Sequence, residues 1–285
     1  MLIVCPTPIG NLGDVTQRQR EALAAADVIA CEDTRTTGKL LELLGIERME
    51  GRPVLWSYHE HNERERVAGL LERLSGGEKV VLVSDAGTPT ISDPGYRLVD
   101  AARKQGIEVV ALPGPVAAMV ALSASGLPTD RFFFEGFLPQ RQGARRTRLE
   151  AIGGLGVTTI MYESPHRLLA LLEDVEEVLG AAREVCVGRE LTKLHEEYIR
   201  GPVHDVRGEL ARRDKIRGEC VVLMAPELAR EPADQDAQID AKITELLDEG
   251  MRPRSIKEIV SALFDTPKSQ IYSRIEYIKK TRQQD

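Results

Sequence analysis

The sequence predicts an α/β protein, with two α/β blocks in succession and a small helical domain behind them. Short apolar runs alternate with longer amphipathic stretches through the first half, and the alternation resumes between residues 132 and 224. Beyond residue 237 the chain reads as three short helices.

In the first block, residues 2–5, 28–31, 54–58, 80–85 and 109–112 read as strands. Helices are expected over 15–26, 36–44, 60–74, 96–105 and 116–125. Gly45, Gly76-Gly77 and Gly106 sit just past helix ends, where a left-handed residue closes the last turn. Near-continuous apolar strands between helices predict a largely parallel sheet covered on both faces. The second block offers strands at 132–137, 158–163, 184–188 and 220–224, with helices at 145–152, 167–179 and 206–213. Domain limits of 1–118, 119–230 and 237–285 follow, with Glu231-Pro-Ala-Asp-Gln-Asp236 as a polar linker. Tail helices are expected at 239–247, 255–263 and 269–279, with Ser255 and Ser269 as caps. Charge changes sign within the tail: residues 236–250 hold five acids and one lysine, residues 251–282 eight basic residues against three acidic. Three short helices ending on a basic one resemble a helix-turn-helix unit suited to nucleic acid. A helical hairpin with a solvated lysine face is the plainer alternative.

The 285 residues carry a net charge of −7, which points to no global affinity for nucleic acid. Cys5, Cys31, Cys186 and Cys220 lie far apart in apolar stretches, as expected of reduced core thiols in a cytoplasmic protein. No leader pattern and no apolar run of about 20 residues is evident, so no membrane association is expected. Dinucleotide, P-loop, nucleophile-elbow and zinc-protease motifs are missing. His59-Glu-His61 lacks a third ligand, so no metal is expected.

One segment points to a small-molecule site. Val83-Ser-Asp-Ala-Gly-Thr-Pro89 ends a buried strand on a carboxylate and continues as a loop of small residues. Open α/β sheets bind ligands at the carboxyl ends of their strands, and small residues let backbone approach a ligand closely.

Further motifs follow in order: Pro6-Thr-Pro-Ile-Gly-Asn-Leu-Gly-Asp14, Glu32-Asp-Thr-Arg35, Ser92-Asp-Pro-Gly95, Leu112-Pro-Gly-Pro115, Tyr162-Glu-Ser164, Arg189-Glu-Leu-Thr-Lys193 and Arg217-Gly-Glu-Cys-Val-Val-Leu223. As a set, over roughly residues 1–226, they resemble the tetrapyrrole-methylase-like superfamily of S-adenosyl-L-methionine (SAM) enzymes. Within it they resemble the 16S rRNA (cytidine-2′-O)-methyltransferases of the small ribosomal subunit.

The resemblance implies two α/β domains enclosing SAM, a 16S rRNA or small-subunit substrate and a homodimer. It implies cofactor contacts from Pro8, the loop Ser84, Asp85, Ala86, Gly87 and Thr88, the helix start Ala117-Ala118, and Tyr162 and Glu163 opposite. Ala117-Ala118 alone would read as helix packing. Transfer to a ribose hydroxyl calls for alignment and a proton acceptor. Candidates are Glu32, Asp33, Glu190, and Lys193 if burial lowers its pKa. Asp33 and Arg35 read equally well as a pair holding their loop. Arg141, Arg145, Arg146 and Arg148 are candidate phosphate contacts, since four arginines near a helix start oppose its dipole. Arg35, His59, His61 and Asn62 are further candidate RNA contacts. Two other functions suit such a scaffold. Tetrapyrrole methylation predicts a wide acidic or arginine-lined macrocycle cleft and leaves the basic tail unexplained. A non-enzymatic RNA-binding assembly factor predicts RNA affinity without methyl transfer.

Overall fold

The computed structural model describes residues 1–48, 51–227, 232–264 and 266–282. The chain divides into two compact units, Met1–Glu227 and Leu228–Asp285.

Five parallel strands build the first sheet: β1 (Leu2–Val4), β2 (Val28–Cys31), β3 (Val54–Ser57), β4 (Val80–Val83) and β5 (Val109–Ala111), in spatial order β3-β2-β4-β1-β5. Helices α1 (Gln17–Ala24), α2 (Thr34–Leu43), α3 (Glu63–Ser75) and α4 (Tyr96–Lys104) connect them. Alternation along each strand divides the core. Val28, Ala30, Val80 and Leu82 pack with Leu70 and Leu98 of α3 and α4. Ile29, Cys31, Val81 and Val83 pack with Leu23 and Leu41 of α1 and α2. Each fully buried Val, Leu or Ile contributes roughly 1.5–3 kcal/mol relative to exposure.

Local signals set the helix ends. Thr16 and Gln19 form a reciprocal capping box on α1. Gln19 is itself buried and donates through Nε2 to the Pro113 carbonyl at 3.1 Å. The Asp33 carboxylate caps α2 by accepting from the Arg35 amide at 2.8 Å. Gly45 and Gly106 close α2 and α4 at φ of 68° and 71°.

Helix α5 (Ala117–Ser125) opens the second block, which holds β6 (Phe132–Phe137), α6 (Gln142–Gly153), β7 (Thr158–Glu163), α7 (Leu168–Leu179), β8 (Glu184–Arg189), β9 (Glu197–Pro202), α8 (Val203–Ala211) and β10 (Cys220–Met224). The sheet order is β6-β7-β10-β8-β9; β6 and β7 are parallel and the other pairs antiparallel. Strand β9 is absent from the sequence expectation. It is an edge strand with one buried residue, Ile199, and it ends on Gly201-Pro202, so it reads as a turn. Ala118, Ala121 and Leu122 of α5 pack on Ile160, Cys186, Val221 and Leu223. The first two blocks therefore part at the 112–115 loop, and the expected limit at 118 falls inside the first turn of α5.

Helices α6, α7 and α8 cover the other face of this sheet. Asp174 of α7 is fully buried there and accepts from Gln142 Nε2 at 3.0 Å, Arg145 Nε at 2.6 Å and Arg146 Nε at 2.7 Å. Burial opposes the charge of Asp174, but these three donors outweigh it and lower its pKa.

The second unit holds α9 (Pro232–Asp248), α10 (Pro253–Phe264) and α11 (Lys268–Arg282) around Ile239, Ile243, Ile256, Val260, Ile271 and Ile275. The expected linker over 232–236 is the start of α9, and Glu231 lies outside the described residues. Ser255 and Ser269 fall inside α10 and α11, so neither occupies an N-cap position. Arg274 pairs with Asp236 and Asp240, each at 2.7 Å, so acids of α9 neutralise part of the basic last helix.

Replacing Asp174 by Ala leaves the buried Arg145 guanidinium without its carboxylate, and the variant is expected to lose about 3–5 kcal/mol of stability. Urea denaturation followed by circular dichroism checks this; a loss below about 1 kcal/mol would show that the helix layer does not depend on the cluster.

Candidate active site

The carboxyl ends of the adjacent strands β1 and β4 deliver two loops to the same place, and backbone bonds join them. The Thr7 amide donates to the Gly87 carbonyl at 2.9 Å, and the Gly87 amide donates back to Thr7 at 3.0 Å. Thr7 Oγ1 donates to the Ser84 carbonyl at 3.1 Å, and Ser84 Oγ to Gly87 O at 3.2 Å. Thr88 Oγ1 donates to Pro115 O at 2.9 Å and so ties in the loop that precedes α5. Glycine is needed at two of these points. Gly87 has φ of 86°, in the left-handed region. At Gly114 a Cβ atom would lie 2.3 Å from Pro6 Cβ.

Above the joined loops is a cleft of about 450 Å³. Asp85, Ala86, Gly87 and Thr88 form one side of it, Ala117 the start of α5, and Tyr162 and Glu163 the side supplied by β7. Seven of the residues expected at a cofactor are thus brought together. The remaining three are placed differently. Ser84 is buried and braces its own loop. Ala118 donates its amide to Tyr162 Oη at 3.2 Å from behind the wall. Pro8 lines a neighbouring hollow of about 220 Å³, in which Asp85 also takes part. Phe134 and Phe137 meet the Tyr162 ring edge-on, at centroid distances of 5.2 and 5.6 Å.

The cleft is acidic. Asp85, Asp93, Glu163 and Glu219 line it, and among the described residues no Lys or Arg does. Burial, then the charge of Glu32, pushes the Asp93 carboxyl up to about 6. Burial, then the charge of Asp85, also raises Glu32. Asp85 is raised mainly by burial, although it accepts from the Asp33 amide at 3.1 Å. Glu163 Oε2 is buried without a hydrogen bond; the Arg167 NH2 group lies 3.1 Å away but donates to the Leu138 and Pro139 carbonyls. Asp93, Glu219 and Phe137 were missed as site residues. Ser92-Asp-Pro-Gly95 and Arg217-Gly-Glu-Cys220 held the signal, since each puts a carboxylate beside a glycine in a loop. Among the described residues the non-glycine residues with positive φ are Thr90, Ser92, Glu190 and Thr192. Strain of this kind costs about 1–3 kcal/mol per residue and gathers at functional loops.

Several expectations need correction. Asp33 caps α2 and binds Arg35 through Nε and NH2, and these hydrogen bonds lower its carboxyl to about 2 and commit it to its own loop. Lys193 is held by Glu190 at 2.9 Å and Glu219 at 3.1 Å. Burial works against its charge, but the two carboxylates outweigh burial and raise its pKa, so it stays protonated. Glu190, the fourth candidate base, is lowered by the same lysine. Arg145 and Arg146 are committed to Asp174, and Arg148 to Glu135 at 2.7 Å. Arg145 is buried in this brace, Arg146 and Arg148 are ion-paired but partly exposed, and Arg141 is exposed. Asn62 Oδ1 accepts from the His59 amide and its Nδ2 donates to Ser57 O, so its side chain shapes its own loop. His61 and Arg35 are exposed.

Asp93 allows a pH test. Its folded pKa of about 6 exceeds the unfolded value of about 3.9, so ionisation penalises the folded state once pH rises past that window. Asp93→Asn is therefore expected to be more stable than the parent above about pH 6. Screening of this partly exposed group limits the gain to roughly 1 kcal/mol, a rise in Tm of about 2–4 °C. The advantage should vanish below about pH 4; an equal gain at pH 4 and pH 7.5 would mean that charge is not its cause.

Residues 1–207 match the family of tetrapyrrole (corrin/porphyrin) methylases. The chain is 45% identical to a ribosomal RNA small subunit methyltransferase I of Mesorhizobium japonicum over 280 residues, covering 98% of this chain and 92% of the relative. It is 49% identical to the Escherichia coli protein of the same name over 237 residues, 82% of this chain and 81% of that one. A solved uroporphyrin-III C-methyl transferase of Thermus thermophilus, complexed with S-adenyl homocysteine, shares the fold. Its TM-score is 0.54 at 15% identity, over 79% of this chain and 96% of that one. The joined strand-end loops, the cleft beside them and these relatives agree: the chain belongs to the ribosomal RNA small subunit methyltransferase I family, within the tetrapyrrole methylases.

Proposed function

We propose that the chain transfers a methyl group from SAM to the 2′-hydroxyl of a cytidine ribose in 16S rRNA, free or within the small subunit. The acidic cleft carries this reading. Four carboxylates line it, two of them paired by Arg167 and Lys193 from outside the lining, and this acidic wall favours a ligand with a positive sulfonium and ammonium over phosphate. The volume is that of a small-molecule site, and Glu163 Oε2, ion-paired with Arg167 but without a hydrogen bond, is a buried acceptor suited to a donor on such a ligand. Bound there, SAM supplies an activated methyl, so the protein has to align and to remove a proton. The braced loops align: Thr7–Gly87 and Thr88–Pro115 hold backbone on one side and Tyr162 on the other. The homodimer and the cytoplasmic location belong to this same reading, and sedimentation tests the first.

RNA must then be gathered by surfaces other than the cleft. In the tail, Lys279 and Lys280 lie on α11 with the exposed Tyr272 and Tyr277. Cations interleaved with aromatic rings suit phosphates and unstacked bases.

Calorimetry with SAM tests the cleft. The parent is expected to bind one equivalent per chain, and Glu163→Gln roughly tenfold more weakly, about 1.4 kcal/mol. Equal affinity would remove Glu163 from the cofactor site. Incubation with labelled SAM and undermodified small subunits, followed by nuclease digestion, should release 2′-O-methylcytidine; label on a base would overturn the ribose assignment.

A chain ended at Glu227 keeps the first compact unit whole. It is expected to bind SAM like the parent and to methylate rRNA with a raised KM and a kcat within about twofold. A collapse of kcat at unchanged KM would place the tail in the chemistry instead of in recruitment.

A further inference from the structure

The hollow beside the cleft has a different chemistry from the cleft. It lies between the 7–12 loop and α2. Thr36, Lys39, Leu40 and Leu43 line it, spaced along α2 so that they form one stripe. Thr37 and Leu41, on the opposite stripe, are the buried residues of that helix. Leu40 also packs partly against the sheet core, but the outer part of this stripe is uncovered: Leu43 is 56% exposed and Leu12, across the hollow, 41%. Lys39 is exposed and has no ion pair among the described residues. Asp85 is the one residue that lines both the hollow and the cleft.

We propose that this hollow receives the acceptor nucleoside of single-stranded RNA, with its base against Leu12 and Leu43, a flanking phosphate at Lys39 and its ribose hydroxyl at Asp85. The inference rests on the methyl-transfer reading above. It explains how a polyanion reaches an acidic cleft: RNA enters from the side that has a free cation and meets the donor across a single carboxylate. About 220 Å³ suits one splayed-out nucleoside and is too small for a duplex. In the reaction the hydroxyl gives its proton to the Asp85 carboxylate, and its oxygen forms the new O–CH₃ bond. The C–S bond breaks with its electron pair going to sulfur, which leaves a neutral thioether, and Asp85 returns the proton to solvent. Glu32, one of the expected bases, lines neither space, and the charge of Asp85 adds to the burial that raises its pKa.

The test uses the full chain with Lys39→Glu, Leu43→Asp and Asp85→Asn. A fluorescent single-stranded oligoribonucleotide carrying the target sequence is titrated into protein saturated with S-adenosylhomocysteine, and anisotropy is read. Lys39→Glu and Leu43→Asp should each weaken binding roughly tenfold. Lys39→Glu should also lower the salt slope by about one. KM for rRNA should rise in parallel, with kcat, SAM affinity by calorimetry and Tm little changed, because both side chains are exposed. Asp85→Asn should bind oligonucleotide like the parent and, at saturating SAM, lose about 10²-fold or more in single-turnover rate. Unaltered anisotropy and KM in both α2 variants of a parent that methylates rRNA would overturn the subsite alone. So would a change in sedimentation with RNA binding intact, which would make the stripe a contact between copies. A single-turnover rate of Asp85→Asn within about threefold of the parent at saturating SAM would remove Asp85 as the base. A parent that neither binds the oligonucleotide nor methylates rRNA would overturn the functional reading itself.

Discussion

Two backbone hydrogen bonds between Thr7 and Gly87 join the loops that leave β1 and β4. Parallel neighbours carry their loops in the same direction but give no reason for them to touch. The bridge supplies that contact, and the left-handed Gly87 permits it. With these loops held, Asp85 stands on the partition between two spaces. The same bracing reaches further. Thr88 binds the Pro115 carbonyl, and Pro6 packs against the bare backbone of Gly114. The 112–115 loop hands the chain from the first sheet to α5, so the second sheet and Tyr162 inherit their position from the bridge.

Charge is divided with equal consequence. Carboxylates gather at the strand ends, where burial raises the pKa of Glu32, Asp85 and Asp93, the charge of Asp85 adds to Glu32, and those of Glu32 and Asp85 add to Asp93. Such a cluster is costly alone and is relieved by a cationic ligand, which is why it supports the proposed donor. The arginines of α6 spend their charge inside the helix layer. Asp174 is fully buried, and Arg145, itself buried, binds it together with Arg146 and Gln142, so Arg145 is part of the core. Lys193 likewise neutralises Glu190 and Glu219, which hold it protonated.

Much of the fold was legible because the signals were local. Apolar runs of four residues, capping residues and the glycines after helices marked every strand of the first sheet to within two residues. Strand β9 was not legible, since an edge strand with charged residues and a terminal Gly-Pro has the composition of a turn. The tail caps were misplaced because α10 and α11 each start on or just after a proline, ahead of the serines. At the site, the small-residue loop after β4 was readable as a ligand wall from its own residues, and the Tyr162-Glu163 strand end only through the family resemblance. The motif Ser92-Asp-Pro-Gly95 was visible, but nothing local says that its carboxylate turns into the cleft.

The sequence by itself determined the class of fold, the alternation that builds two sheets, the loops that surround the cleft and the family to which the chain belongs. Each rests on residues close together in the chain, where periodicity and turn chemistry act directly. Tertiary structure decided which charges are free. Arg145 meets Asp174 across 29 positions and Lys193 meets Glu219 across 26, and no spacing rule reveals such partners. It also decided that Asp85 faces two spaces at once, because that position depends on two strands, a backbone bridge and a helix start brought together only by folding.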